Sequence, residues 1–401
     1  MPLERPVVPL PGGGRIAADF GASYAAAAIV AFLFAASGPV AIILSVGARG
    51  GLSEPDIASW IFAAFCLNSV VSLVFTLAYR QPLIFLWSIP GAVLVGPALG
   101  HLTFPGVIGA FLATGVLMVL LGLSGWVRRA MDAVPMPIVM AMVAGVFLRF
   151  GIDLVLAFRD ALWIALPMSA AFFVFAKLNR GLPPLIAALV VGAAAIAALG
   201  EFKPPAGALF ALAAPNFYVP QLSWAAMVEL VVPLAITVLV VQNGQGIAVL
   251  DASGHKAPIN AITAACGAAS IVTGLFGAVS TCLTGPVNAL LSSSGEKSRH
   301  YTAALFFCLI AFAFGLLAPF FTRVLLATPG AFIATLAGLA MLRVLQTAFT
   351  ASFGGKFSFG ALVCFLVTVA DVAIFRIGAP FWGLVLGLAA SWLLERDRRH
   401  A

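Results

Sequence analysis

The sequence predicts an all-α polytopic membrane protein with 14 transmembrane segments, arranged as 7+7 inverted repeats that each contain one broken half-helix span. Three observations carry this prediction. The chain of 401 residues is 63% hydrophobic and 9% charged, where soluble domains are roughly one-quarter charged. Apolar stretches long enough to cross a bilayer, about 20 residues if helical, recur from Ala22 to Leu394. Finally, Leu86-Trp87-Ser88-Ile89-Pro90-Gly91-Ala92-Val93-Leu94 has an echo at Leu283-Thr284-Gly285-Pro286-Val287-Asn288-Ala289-Leu290, with Pro90 and Pro286 lying 196 positions apart, about half the chain.

In chain order, residues 1–21 hold Pro and Gly but no apolar core ending in a small-residue cleavage site, so the first span rather than a signal peptide is expected to target the membrane. Spans are placed near 22–46, 56–78, 82–98, 104–123, 134–156, 160–177 and 183–200, then near 225–247, 257–276, 278–292, 300–319, 328–347, 357–375 and 379–394. The first is interrupted by Ser37-Gly38-Pro39, a candidate cavity wall. The third of each set is short and carries a hydroxyl, a spacer and a proline: Ser88-Ile89-Pro90 or Thr284-Gly285-Pro286. That pattern starts helices, because the hydroxyl oxygen accepts an orphan N–H and proline suits the first turn. A helix starting in mid-membrane must follow extended backbone, which survives there only if it lines a cavity or is covered by protein. Transporters use such half-helix N-termini to hold anionic or polar substrate.

With the N-terminus inside, Arg5, Arg15, Arg80, Arg128, Arg129, Lys177, Arg180, Lys256, Lys297, Arg299, Lys356, Arg396, Arg398 and Arg399 fall on cytoplasmic segments. Only Arg49, Arg159, Lys203, Arg323 and Arg376 fall outside, and this bias predicts both termini in the cytoplasm of an inner or plasma membrane. The net charge of +7 has the same source. The duplication extends further: Ala133-Val134-Pro135, Gly145 and Leu148-Arg149 resemble Ala327-Thr328-Pro329, Gly338 and Leu342-Arg343. An odd number of spans per repeat makes the repeats inverted, which is a transporter architecture. Ser124 to Asp132 and Pro319 to Arg323 read as interfacial linkers.

Trp87-Ser88-Ile89-Pro90-Gly91, the Gly122-Leu123-Ser124-Gly125-Trp126 turn, Ala144-Gly145-Val146-Phe147-Leu148-Arg149-Phe150-Gly151 and Gln242-Asn243, taken together, resemble the benzoate/proton symporter family (BenE). The resemblance runs from about the first span to the thirteenth. It implies a fold related to the uracil permease and sulfate permease group, with a core domain, a gate domain and often a homodimer. Mapped onto this chain, the core would be 22–123 with 225–320 and the gate 124–200 with 321–394. Residues 1–21 and 395–401 would be cytoplasmic and 201–224 an extracytoplasmic linker. One departure stands out: the family usually follows its Gln-Asn pair with an apolar residue, proline and glycine, whereas here Gly244-Gln245-Gly246 follows.

Within the spans the candidate substrate contacts are Trp87, Ser88, Pro90, Gly91, Gln242, Asn243, Gln245, Thr284, Gly285 and Asn288. Amides bind a carboxylate without a full charge, the glycines around Gln245 are expected to let the helix unwind, and Trp87 suits a planar ring. Phe85 and Phe276 are plausible pocket walls. Intramembrane ionisable residues are few. Arg149 and Arg343 read as snorkelling anchors at helix ends, with Asp153 one turn from Arg149 as its partner. Glu229, near the start of its span, and Asp371, expected deep in the thirteenth, are the proton-coupling candidates. Five isolated cysteines and four histidines in loops or the tail offer no disulfide framework or metal cluster. No nucleophile triad, Walker loop or dinucleotide fingerprint is found, so an enzyme, a bound cofactor and a nucleic-acid partner are not expected. The expected activity is proton-coupled secondary transport that imports benzoate or a related aromatic carboxylate by alternating access. The rival is a permease or channel for another anion or a nucleobase on the same fold.

Overall fold

The computed structural model describes all residues except 1, 2, 8, 133, 134, 179–182, 204–209, 294, 373, 376 and 396–401. Arg180, Arg376, the Ala133-Val134 part of the internal echo, and the tail from Arg396 onward therefore lie outside the described residues.

After a short helix α1 (Gly13–Asp19), α2 (Ala22–Ala36) and α3 (Gly38–Arg49) form one membrane-length stretch, broken where Ser37 leaves helical geometry (φ −90°, ψ −95°) and Pro39 opens the next turn. α4 (Glu54–Phe62) starts at a capping box between Ser53 and Asp56 and runs through a π-helical segment, Ala63–Leu67, into α5 (Asn68–Tyr79). This π segment is closely packed from outside: a Cβ on Gly315, in a later helix, would come within 2.5 Å of the Cys66 nitrogen. Next comes the first broken span: a strand β1 (Phe85–Trp87), then α6 (Ile89–Leu99). α7 (Phe104–Ser124) is capped by Thr103 and closes at Gly125 in the left-handed region (φ 75°), and α8 (Val127–Asp132) is the short linker. α9 (Met136–Asp160), α10 (Leu162–Leu178) and α11 (Pro184–Leu199) complete the first half.

The second half repeats the order. α12 (Trp224–Ile236), a π-helical segment Thr237–Asn243 and α13 (Gly244–Ala252) form one rod, followed by α14 (Ile259–Gly274). The second broken span is β2 (Thr281–Leu283) and α15 (Gly285–Leu291). Then come α16 (His300–Leu316), the linker helix α17 (Ala318–Leu326), and α18 (Gly330–Phe353), α19 (Ser358–Ala370) and α20 (Ala379–Leu394). Helical or half-helical elements thus occupy every stretch predicted as a span. Among the described residues, seven helices are long and apolar enough to cross a membrane alone.

Contacts recur in matching pairs between the two halves. α7 packs along α14 and α5 along α16; α12 meets α7 as α2 meets α16; α3 supports α6 as α13 supports α15; α10 lies on α11 as α19 lies on α20. α9 and α18 pack on each other. The α7–α14 crossing depends on missing side chains: a Cβ on Gly115 would sit 2.8 Å from the Gly267 carbonyl oxygen, and one on Gly267 would sit 2.5 Å from the Gly115 oxygen. Small residues that let backbones touch are how helices associate where lipid removes the hydrophobic drive.

Two expectations are corrected. Gly244 and Gly246 do not unwind the helix: Gly244 is helical (φ −56°, ψ −47°), and the irregularity is absorbed upstream as the π-helical segment. Gly246 serves packing instead, since a Cβ there would lie 2.7 Å from the Leu283 side chain. Asp371 is not deep in a span. It caps the C-terminal end of α19 with left-handed φ of 50° and is exposed.

Candidate functional site

The site grows from the two broken spans. β1 and β2 pair antiparallel, with Phe85 opposite Leu283, Leu86 opposite Cys282 and Trp87 opposite Thr281. The ladder continues past the strands, as Ser88 N–H donates to the Ser280 carbonyl at 2.9 Å and Thr284 N–H to the Ile84 carbonyl at 3.1 Å. A two-stranded sheet inside a membrane protein leaves outward N–H groups that need partners, and side chains from the surrounding helices supply them. Ser72 accepts from Phe85 N–H at 2.8 Å and Ser270 from Thr281 N–H at 2.9 Å. Asn243 Oδ1 accepts from Leu283 N–H at 2.8 Å, and Asn288 Oδ1 from Ile84 N–H at 3.0 Å.

In front of this sheet lies a cavity of about 1180 Å³. Its floor is Trp87 and Pro90 from the first broken span and Thr284 and Pro286 from the second, with Gln242 and Gln245 beside them. Ser37 and Pro39, at the break between α2 and α3, join one wall, and Met140, Val143 and Phe147 of α9 face them. The wall toward the mouth is α18, presenting Arg343, Gln346 and Thr347. Most of the lining is apolar; of its polar groups, Ser37 and Thr347 donate their hydroxyls to the Phe34 and Arg343 carbonyls, and others are uncommitted. The side chains of Gln242 and Gln245 have no hydrogen-bond partner among the described residues, and the buried indole N–H of Trp87 has none either. Trp87 is held by Phe65, ring centroids 4.9 Å apart. In the N-terminal segment, Glu4 accepts from the N–H groups of Asn260 and Ala261 at the start of α14.

The structure brings five of the ten predicted contacts to the cavity wall: Trp87, Pro90, Gln242, Gln245 and Thr284. Ser88, Gly91, Asn243, Gly285 and Asn288 lie behind it. Ser88 is fully buried and caps α6, accepting from Gly91 N–H at 3.1 Å. Asn243 and Asn288 are fully buried and spend their oxygens on the N–H groups of Leu283 in β2 and of Ile84 just before β1. Gly285 lies under Gln245, whose Cγ would be 2.6 Å from an added Cβ. The two phenylalanines expected as walls are elsewhere, Phe85 against Phe75 and Phe276 against Phe62 and Phe217.

Neither acid lines the cavity. Glu229 is buried, 4% exposed, with its Oε2 2.9 Å from His101 Nε2. A Cβ on Gly378, just before α20, would fall 2.5 Å from its Oε1, so the first-half His101, the second-half Glu229 and the entry to α20 close on one another. Arg149 pairs with Asp153 at 3.4 Å, and Arg49 joins that carboxylate. Arg343 was expected to be the same kind of anchor, but it faces the cavity. Its recurrence with Gln346, Thr347 and Thr350 at three- and four-residue spacing, a polar stripe on an otherwise apolar helix, is the sequence signal that locates this wall.

Comparison with known proteins agrees with this arrangement. Residues 18–393 match the profile of the family described as benzoate membrane transport protein. The inner membrane protein YdcO of Escherichia coli is 29% identical over 380 residues, 93% of this chain and 97% of that protein. A benzoate membrane transport protein of Acinetobacter baylyi is 25% identical over 389 residues, 95% of this chain and 97% of that one. Among solved structures, the transmembrane domain of the cyanobacterial bicarbonate transporter BicA superposes with TM-score 0.61 at 14% identity, covering 90% of this chain and 97% of that domain. The murine anion transporter Slc26a9 in its inward-facing state gives TM-score 0.65 at 15% identity, covering 94% of this chain and 69% of that one. At these identities the structural matches establish the fold.

Proposed function

We propose, because this chain belongs to the benzoate membrane transport protein family, that it imports benzoate or a related aromatic carboxylate in symport with protons. One observation supports this reading above the others: an apolar cavity that ends on an indole, a hydroxyl and two amides with no partners of their own. The ring would lie against Trp87, Phe147 and the neighbouring apolar wall, where removal from water drives binding. The carboxylate would sit toward Thr284, Gln242 and Gln245, whose donors give it bonds without a buried cation. Helix α6, starting at the same floor, adds the positive end of its dipole.

Alternating access would divide the chain into two parts. Segments 22–123 and 225–320 would form the moving core with both half-helices, and 124–200 and 321–394 the gate. The cavity would open toward the N-terminal side, and His101, Glu229 and the Gly378 turn would close the other. Glu229 is the better-supported proton carrier of the two acids, because it is buried at a core–gate contact while Asp371 is exposed at a helix end. Protonation there would remove a charge from the closed end and couple opening to the proton gradient.

Uptake of benzoate, substituted benzoates, uracil, sulfate and bicarbonate into proteoliposomes tests the substrate. Benzoate uptake should rise as external pH falls and collapse with a protonophore, and Glu229→Gln should flatten that pH dependence. Uptake that follows a sodium gradient and ignores a protonophore would remove proton coupling. Bicarbonate or uracil carried in preference to benzoate would move the chain to the rival reading. The N-terminal side is read as cytoplasmic. In a cysteine-free background, single cysteines at Arg129 and Ser293 should then resist an impermeant reagent in sealed cells, and one at Lys203 should react.

A further inference from the structure

Arg343 is the one charged residue among the described residues that line the cavity. It is exposed, and its side chain makes a long polar contact along its own helix, Nη1 donating to Gln346 Oε1 at 3.4 Å. No carboxylate pairs with it among the described residues, whereas the other arginine of the internal echo, Arg149, lies 3.4 Å from Asp153 one turn further on. The position one turn beyond Arg343 holds Thr347, which also lines the cavity. The two halves thus place an arginine at matching points of α9 and α18. The first half neutralises it and the second leaves its charge facing the vestibule.

We propose that Arg343 is an anion-holding station on α18 that admits the ionised acid to the cavity and discriminates against neutral analogues. The proposal rests on the aromatic-carboxylate reading for its ligand. A guanidinium presents a planar fork that fits a carboxylate in two-point contact, and a cleft with apolar walls focuses its field toward an entering anion. The amides and hydroxyl at the floor hydrogen-bond to neutral and ionised ligands alike, and beyond the partial charge of the α6 dipole the full charge that selects the ionised acid is that of Arg343. Its place on α18, across the cavity from the half-helices, makes it a positioning residue met on entry and exit, separate from the final contacts of the bound substrate.

The test uses the full-length protein in proteoliposomes, with benzoate and its neutral isostere benzamide, and ionic strength varied from about 10 mM to about 500 mM, a range over which the screening length falls several-fold. Wild type should associate with benzoate faster at low salt than at high salt. Arg343→Gln should lower the benzoate association rate at low salt about tenfold and abolish the salt dependence, leaving benzamide unchanged. Arg343→Lys should restore most of the salt dependence. Thr347→Asp, which places an acid one turn away as Asp153 stands to Arg149, should reproduce the loss while keeping the arginine. Salt dependence that survives in Arg343→Gln, or benzoate association untouched by Thr347→Asp, would overturn the inference. If wild type instead binds sulfate or bicarbonate with the same charge-dependent losses, the aromatic-acid reading fails and the Arg343 station stands. Binding of uracil alone, indifferent to salt, removes both. Thermal melts of each variant separate these outcomes from misfolding.

Discussion

The two half-helix entrances are built on one plan and finished differently. Each is a three-residue strand, a hydroxyl, and a proline-led helix, and the strands pair with each other. At the first entrance Ser88 is fully buried, accepts from Gly91 N–H and leads into 11 helical residues. At the second, Thr284 is partly exposed at the cavity, makes no side-chain cap, and is followed by only 7 helical residues under the Gln245 side chain. One hydroxyl has been spent on the fold and the other left for a ligand. The same division separates the amides, since Asn243 and Asn288 hold strand backbone while Gln242 and Gln245 face the cavity. A polar residue in a membrane cavity is therefore available to substrate only where no backbone group has claimed it.

Variants at these positions can break or sharpen that division. Trp87→Ala should have the largest effect, about 3–5 kcal/mol of stability from the lost contact with Phe65 and its surroundings. In protein that still folds it should weaken naphthoate-sized acids more than acetate-sized ones. Equal losses across that series, in a binding titration, would take Trp87 out of the ring contact.

Asn243→Leu and Asn288→Leu come next. Each leaves a strand N–H unpaired in the interior, at about 1–3 kcal/mol, so both should lower Tm in detergent before any change in affinity is read. Loss of substrate with an unchanged Tm would make these asparagines ligands after all.

The hydroxyl pair gives a smaller and crossed effect. Ser88→Ala should cost about 1 kcal/mol of stability as a lost N-cap. Thr284→Ala should leave stability within about 0.5 kcal/mol and lower substrate affinity. The reverse pattern would mean that the entrances had been assigned the wrong way round.

A last effect is read in pH and comes from the loop between α13 and α14. Burial, with His300 and Lys297 nearby, pushes His255 down to about 4, and its Nε2 lies 3.1 Å from His300 Nδ1. A base depressed below its ordinary value of about 6.5 contributes stability that is fully present above that value and is lost as pH falls toward about 4. Tm should therefore decline over that window, and His255→Asn should flatten the decline. This provides the control needed before uptake that changes with pH is ascribed to Glu229.

Much of this molecule follows from local sequence. The places of the spans, the breaks at Ser37-Gly38-Pro39, Ser88-Ile89-Pro90 and Thr284-Gly285-Pro286, and the cap at Ser88 all depend on residues within a few positions of one another. Local steric and hydrogen-bonding rules act at that range. What tertiary structure alone decided is which polar group meets which partner. Asn288 is claimed by Ile84, 204 positions away, and Asn243 by Leu283, 40 positions away. The irregularity near Gln242 became a π-helical segment and not an unwound turn, with Gly246 packed against Leu283. Arg149 and Arg343 have matching places in the sequence pattern, yet Asp153 neutralises the first while the second faces the cavity. Periodicity places a residue on a helix, but whether its polar atoms remain free depends on the backbone or charge that the fold brings to within about 3 Å.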